Sequence, residues 1–237
     1  MKILALECSA TPASVALLED DKVIASSYTN VKLTHSQTLL PMVESLLNSS
    51  LIDISEIEGV CISAGPGSFT GVRIGISVLK GIAAPKDLPC VSVSTLESMA
   101  QNYSDTDCVV CAVMDARCNQ VYNALFDISN GNITRITEDR ALLCEELVEN
   151  LKNVSQNYKK DVIIVGDGTD VFYNFAKELP FVKKSHPIRR FQNAASVGFT
   201  ALESFKTGNT ISSGELLPIY LRLPQAEREL KSKEQTK

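Results

Sequence analysis

Lys2-Ile3-Leu4-Ala5-Leu6-Glu7-Cys8 and Cys108-Val109-Val110-Cys111-Ala112-Val113-Met114-Asp115 are the two stretches on which the fold turns. Each is an apolar run of strand length with a carboxylate at or near its end. Around each, the same order of elements unfolds. After the first, residues 13–18 and 22–28 predict two further strands, with Asp20-Asp21 turning between them. Leu39, Leu40, Val43, Leu46 and Leu47 recur at helical spacing and predict a helix over 36–48, which Pro41 should kink or start late. A strand at 59–63 leads into Gly65-Pro66-Gly67-Ser68-Phe69-Thr70-Gly71, then a helix over 71–84 for which Thr70 is the expected N-cap. A strand at 90–94 and a helix at 95–101, capped by Ser94, close this unit.

From residue 103 the pattern begins again. Strands are predicted at 108–115, 120–127 and, after the Asn130-Gly131 turn, 132–137. A helix over 145–151, a strand at 161–165 and a helix over 169–179 follow, so both halves read βββαβα. Two such units side by side are the architecture of the actin-like ATPase (ribonuclease-H-like) fold, an α/β class. The expected division is 1–102 and 103–189, with 190–222, including a helix over 194–205, packing back on the first unit. Residues 223–237 are charged and predicted to be a disordered tail.

The chain has 237 residues, 44% hydrophobic and 22% charged, with a net charge of −5. This is ordinary for a globular protein, and an acidic chain argues against gripping nucleic acid alone. The N-terminal apolar run stops at Glu7, short of a signal peptide, and no segment approaches the roughly 20 apolar residues of a membrane span. A cytoplasmic protein without membrane contact is predicted. Seven cysteines, irregularly spaced, read as reduced thiols.

In actin-like ATPases the turns after the first strand of each repeat wrap phosphates and need glycine for close backbone approach. Here those turns are Cys8-Ser9-Ala10-Thr11-Pro12 and Ala116-Arg117-Cys118-Asn119, both without glycine. A residual nucleotide or anion pocket would draw on Glu7, Ser9, Gly67, Ser68, Thr70, Asp115 and Arg117, with Gly166-Asp167-Gly168 nearby. The 65–71 run is no P-loop, since no Gly-Lys-Ser/Thr follows. Gly71 and Gly75 lie one helical turn apart and suggest a groove for another helix, with Ile74, Val78, Leu79 and Ile82 as surplus apolar surface. No paired-histidine metal motif exists, and Cys108-Val109-Val110-Cys111 sits in a strand whose residues three apart face opposite ways. Ser63, Ser68 and Cys118 have no histidine placed locally to activate them. Lys183-Lys184 and Arg189-Arg190 around His186 form a basic cluster, either solvated surface or a support for RNA in an assembly. Two enzymatic alternatives stay open at this point, a small-molecule kinase of the same fold and a metallopeptidase.

Several of these stretches together resemble the TsaB family. They are residues 2–7, His35-Ser36 with Leu40-Pro41, the 65–71 run continued by Val72-Arg73-Ile74-Gly75, Ser94-Thr95-Leu96-Glu97, Met114-Asp115-Ala116-Arg117 with Val121-Tyr122, and Pro218-Ile219-Tyr220-Leu221-Arg222. The glycine-rich run is the most specific, and Glu7 departs from the aspartate usual in the family. The resemblance implies a subunit that is not an enzyme on its own. It would bind TsaD, and with it the ATPase TsaE, for threonylcarbamoylation of the adenosine next to the anticodon in tRNAs reading codons that start with A. ATP and metal would belong to the partner subunits, tRNA would be met only within the complex, and the isolated chain would be a candidate homodimer. His35 has Leu39 four residues on, where TsaD has a second metal-binding histidine. The partner-binding face expected from the two helices comprises Ser36, Leu39, Leu40, Val43, Leu47, Gly71, Arg73, Ile74, Gly75, Ser77 and Leu79.

Overall fold

The computed structural model describes residues 1–222; the 223–237 tail predicted to be disordered lies outside the described residues. β1 (Lys2–Glu7), β2 (Ala13–Glu19) and β3 (Lys22–Thr29) form an antiparallel meander, turned at Asp20 in a left-handed conformation. α1 (His35–Ser50) carries the chain to β4 (Gly59–Gly65), parallel to β1, and α2 (Phe69–Ala83) to β5 (Cys90–Ser94), parallel to β4. After α3 (Thr95–Ala100) the plan repeats through β6 (Cys108–Asp115), β7 (Gln120–Ser129), β8 (Asn132–Arg135) and β9 (Arg140–Leu143). α4 (Cys144–Tyr158), β10 (Val162–Val165), α5 (Thr169–Ala176) and β11 (Val182–Lys184) complete it, and α6 (Ala194–Thr207) follows.

The first sheet runs β3-β2-β1-β4-β5 and the second β8-β7-β6-β10-β11, with β9 also on β7. Strand for strand the two orders coincide, which is the duplication in three dimensions. β1 and β6 are central and buried on both faces, so their sequences are continuously apolar rather than alternating.

α1 and α2 cover one face of the first sheet, packing Leu39, Val43 and Leu79 on Leu4 and Leu6. α6 covers the other, setting Val197 and Ala201 against Ile3 and Ala5. On the second sheet α4 and α5 bring Leu147 and Phe172 to one face, while α3 lays Leu96 and Met99 against Phe126 on the other. Each repeat is therefore covered partly by a helix that lies outside its own βββαβα, and burying each large apolar side chain stabilises the molecule by about 1.5–3 kcal/mol.

Three local expectations change. α1 starts at His35 and not late, with Pro41 on its exposed side; four buried residues, Leu39, Val43, Leu46 and Leu47, offset the missing backbone bond. Ser68, not Thr70, caps α2, because its hydroxyl accepts the Gly71 N–H at 3.2 Å and Thr70 lies inside the first turn. β9 and β11 escape a sequence reading because four and three residues are too few to show a period.

Candidate functional site

A cleft of about 830 Å³ opens where the turns after β1 and β6 face α2's first turn. Its walls include Ser9, Ala10 and Thr11 from one repeat, Asp115, Ala116, Arg117 and Asp167 from the other, and Gly67, Ser68 and Thr70 between them. Six of the seven residues expected to form a residual pocket meet here. The seventh, Glu7, does not: it is buried beneath the cleft floor. Its carboxylate accepts the Ser9 N–H at 2.6 Å and the Ser63 hydroxyl. Burial pushes the Glu7 carboxyl above its usual range, and those two hydrogen bonds oppose the shift. Glu7 therefore holds the turn in place and cannot reach a ligand. Its counterpart Asp115 is exposed and accepts the Arg117 N–H at 2.7 Å.

The glycine-rich run reads differently in three dimensions. Gly65 has φ +126°, and a Cβ there would stand 2.3 Å from the Ile219 carbonyl oxygen. A Cβ at Gly71 would stand 2.3 Å from the Cys8 carbonyl, and one at Gly75 the same distance from the Cys8 sulfur. Gly71 and Gly75 thus seat α2 on the end of β1, and the groove expected for a partner helix is already filled. Leu39, Val43, Leu47 and Leu79 are buried in the same core, since a helix on a sheet must spend its most apolar stripe on that sheet. They too are unavailable to a partner. What remains outward from the expected face is Ser36, Leu40, Arg73 and Ser77, exposed, with Ile74 half-buried. On α2 the outward positions 73, 74, 77, 78, 81 and 82 form one stripe, Arg-Ile, Ser-Val, Gly-Ile.

Sequence reasoning marked the segment that runs beside this stripe but missed its contacts. Tyr220 stacks on Phe69 with ring centroids 4.4 Å apart, and the Arg73 Nε donates to the Tyr220 hydroxyl at 2.5 Å. Arg222 donates to the Ala116 carbonyl at 2.9 Å, joining the first helix pair to the second repeat's turn. The motif at 218–222 marked the place; an irregular segment has no periodicity to show what it touches.

The basic cluster is neutralised rather than assembled. Lys183 pairs with Asp161, Lys184 with Asp170 at 2.8 Å, Arg189 with Asp105 at 2.6 Å and Arg190 with Asp170 at 3.6 Å. That leaves little field for a phosphate backbone. Cys108 and Cys111 lie in the cores on opposite faces of the second sheet. Cys118 is exposed, and the other six cysteines are buried. Among the described residues no group of three or more His, Cys, Asp or Glu is placed to hold a metal ion, and no helix is long and apolar enough to cross a membrane.

Two βββαβα repeats enclosing a cleft at the ends of their first strands define an actin-like ATPase (ribonuclease-H-like) fold, here with glycine-free turns. The solved structure of YeaZ from Pseudomonas aeruginosa matches it with a TM-score of 0.76 and 28% identity, covering 93% of this chain and 99% of that one. At 13% identity and a TM-score of 0.50, a 2-hydroxyglutaryl-CoA dehydratase component of Acidaminococcus fermentans shares the fold alone. A family model described as TsaD, tRNA N6-adenosine threonylcarbamoyltransferase, matches residues 23–229. The tRNA threonylcarbamoyladenosine biosynthesis proteins TsaB of Bacillus subtilis and Escherichia coli are 31% and 33% identical over 96% and 99% of this chain, and 96% and 100% of their own lengths. By contrast, the transferase of Trichlorobacter lovleyi is 25% identical over 41% of this chain and 33% of its own length. The chain belongs to the TsaB family of tRNA threonylcarbamoyladenosine biosynthesis proteins.

Proposed function

We propose that this chain is a non-catalytic scaffold and activator that binds TsaD, and with it TsaE, for threonylcarbamoylation of the adenosine next to the anticodon in tRNAs reading codons that start with A. The observation that carries this reading is the outward α2 stripe: Val78 and Ile82 pack against the core on one side, and these two and Ile74, all half-buried, still leave apolar surface facing outward. A catalytic role has less behind it. Glycine-free turns present poor phosphate cradles, and the one carboxylate at the end of β1 is committed to Ser9 and Ser63. In this reading ATP and metal sites belong to the partners, tRNA is met only in the assembled complex, and the protein works in the cytoplasm. A second copy of the chain can occupy the same stripe when TsaD is absent, giving a homodimer.

A standard interface would cover roughly 800 Å² per partner. Placing a charge in its centre by Ile74→Glu should abolish co-elution with TsaD on size exclusion while leaving the variant folded. Reconstituted tRNA threonylcarbamoylation should then fall to the level without this subunit. A variant that co-elutes and supports modification as the parent does would overturn the reading.

A further inference from the structure

Beyond α6, residues 214–222 run beside α2. The Gly214 carbonyl accepts from Lys80 Nζ at 3.2 Å, Leu216 is buried in the core under α1 and α2, and the Ile219 N–H donates to the Ala64 carbonyl at 2.7 Å. Arg222 then grips the Ala116 carbonyl. This strap is pinned at four points, and Gly65 has no side chain because the Ile219 carbonyl occupies the place of one.

The strap delivers Tyr220 to Arg73. The guanidinium lies 5.4 Å from the Tyr220 ring centroid and 6.0 Å from that of Phe69, while its Nε is taken by the Tyr220 hydroxyl. An exposed arginine ordinarily samples many rotamers; this one is held by two rings and a hydrogen bond. Its Nη1 and Nη2 edge is left over. Among the described residues no carboxylate stands within ion-pair distance of Arg73. Beside it Leu217, Ile219 and Tyr220 are exposed, extending the apolar stripe of α2.

We propose that the strap is part of the docking face and that Tyr220 is a positioning residue, holding Arg73 as a pre-formed fork for an aspartate or glutamate of the bound partner. The chemistry is that of end-on arginine–carboxylate pairing, in which Nη1 and Nη2 each donate one hydrogen bond. A fixed guanidinium loses less freedom on pairing than a free one, so Tyr220 acts on affinity through Arg73. This rests on the docking face proposed above.

A double-mutant cycle separates the two ideas, with the dissociation constant for TsaD measured by calorimetry and the fold of each variant checked by its urea midpoint. Arg73→Ala should weaken binding ~30-fold, as arginine anchors near an interface centre do. Tyr220→Phe keeps the stack and loses only the hydroxyl, and should weaken binding about 5-fold. In the Arg73→Ala background, Tyr220→Phe should have no further effect, and Arg73→Lys should not restore affinity. Raising salt should weaken the parent complex more than the Arg73→Ala complex. Additive losses, or an unchanged affinity in Tyr220→Phe, would overturn the inference. If Ile74→Glu abolishes binding while the cycle is additive, only the role of the strap fails; if Ile74→Glu binds normally, the docking face itself fails.

Discussion

Gly65-Pro66-Gly67 and Gly166-Asp167-Gly168 stand at the same place in the two repeats, at the ends of β4 and β10 and before α2 and α5, yet they meet different neighbours. Both open with a left-handed glycine, φ +126° and +106°. A Cβ on Gly67 would strike the Ser9 carbonyl at 2.4 Å; one on Gly168 would strike the Met114 carbonyl carbon at 2.9 Å. In each case the turn is pressed against the end of its own repeat's first strand. The opening glycines differ: Gly65 yields to the Ile219 carbonyl of the strap, Gly166 to the Val113 carbonyl of β6 at 2.0 Å. Duplication has kept the steric demand and freed the middle residue. Where the first repeat has Pro66 beside a strap, the second has Asp167 facing the cleft. One turn now serves an outer surface and the other an inner one.

Alanine at the two opening glycines should break this symmetry unequally. Gly166→Ala must move a central strand as well as hold a strained φ, and should cost ~4 kcal/mol or more by urea unfolding. Gly65→Ala meets a peripheral strap that can shift, and should cost about 2–3 kcal/mol. Equal losses would mean that the strap is as rigid as β6.

The acids at the ends of the first strands should differ next. Glu7→Ala leaves the Ser9 N–H and the Ser63 hydroxyl without their acceptor in a buried site, so a loss of about 3 kcal/mol is expected. Asp115→Ala removes one exposed hydrogen bond, and should cost under about 1 kcal/mol. Denaturant midpoints of both variants, measured side by side, test whether the two carboxylates have diverged as described.

Much of this comparison was legible in the chain itself. The continuous apolar runs of β1 and β6 are long, central and doubly buried, so composition alone marks them, and their repetition carries the topology. Ser9, Asp115 and Arg117, which line the cleft, were legible because strand ends and the following turn are adjacent in sequence, and Glu7 was misplaced because adjacency does not show which side of the turn is buried. The proposed docking face was read only in part. Leu39, Val43, Leu47 and Leu79 have the spacing of an apolar stripe, but spacing says which residues share a side of a helix and not what that side meets. Gly71 and Gly75 misled for the same reason: close packing on Cys8 and an open groove have the same signature. Tyr220 and its contact with Arg73, 147 positions apart, rest on tertiary geometry that no local pattern encodes.

Asp167 offers a pH test confined to the second turn. Burial raises its carboxyl to about 6, with a hydrogen bond from Gln192 opposing the shift and the charges of Asp115 and Glu7 adding to it. A folded-state value above the unfolded one means the folded protein prefers the proton. The associated stability is complete below the unfolded value near 4 and is lost as pH rises through about 6. Asp167→Asn should therefore be the more stable protein at pH 7.5, by about 2 kcal/mol, and that advantage should vanish below pH ~4. Thermal midpoints of the two proteins across this range should converge on acidification; parallel curves would show that Asp167 is not strained by its site.

The smallest effect is expected at the turn after β6, whose left-handed run has no equivalent in the turn after β1. Arg117, Cys118 and Asn119 all adopt left-handed φ, at 65°, 53° and 55°. Such a conformation costs a side-chain-bearing residue about 1–2 kcal/mol, less for asparagine, which tolerates it. The turn persists because its ends are held: the Ala116 N–H and Gln120 carbonyl pair at 3.0 Å, and the Asn119 carbonyl accepts from Cys144 at 2.9 Å. Cys118→Gly removes the strain but adds backbone freedom to the unfolded chain, which costs ~0.5–1 kcal/mol of that gain. A net stabilisation of about 0.5 kcal/mol is the expected outcome by urea unfolding. A destabilisation of similar size would mean that the Cys118 side chain contributes contacts outweighing its backbone strain, and the two turns would then differ by packing rather than by conformation.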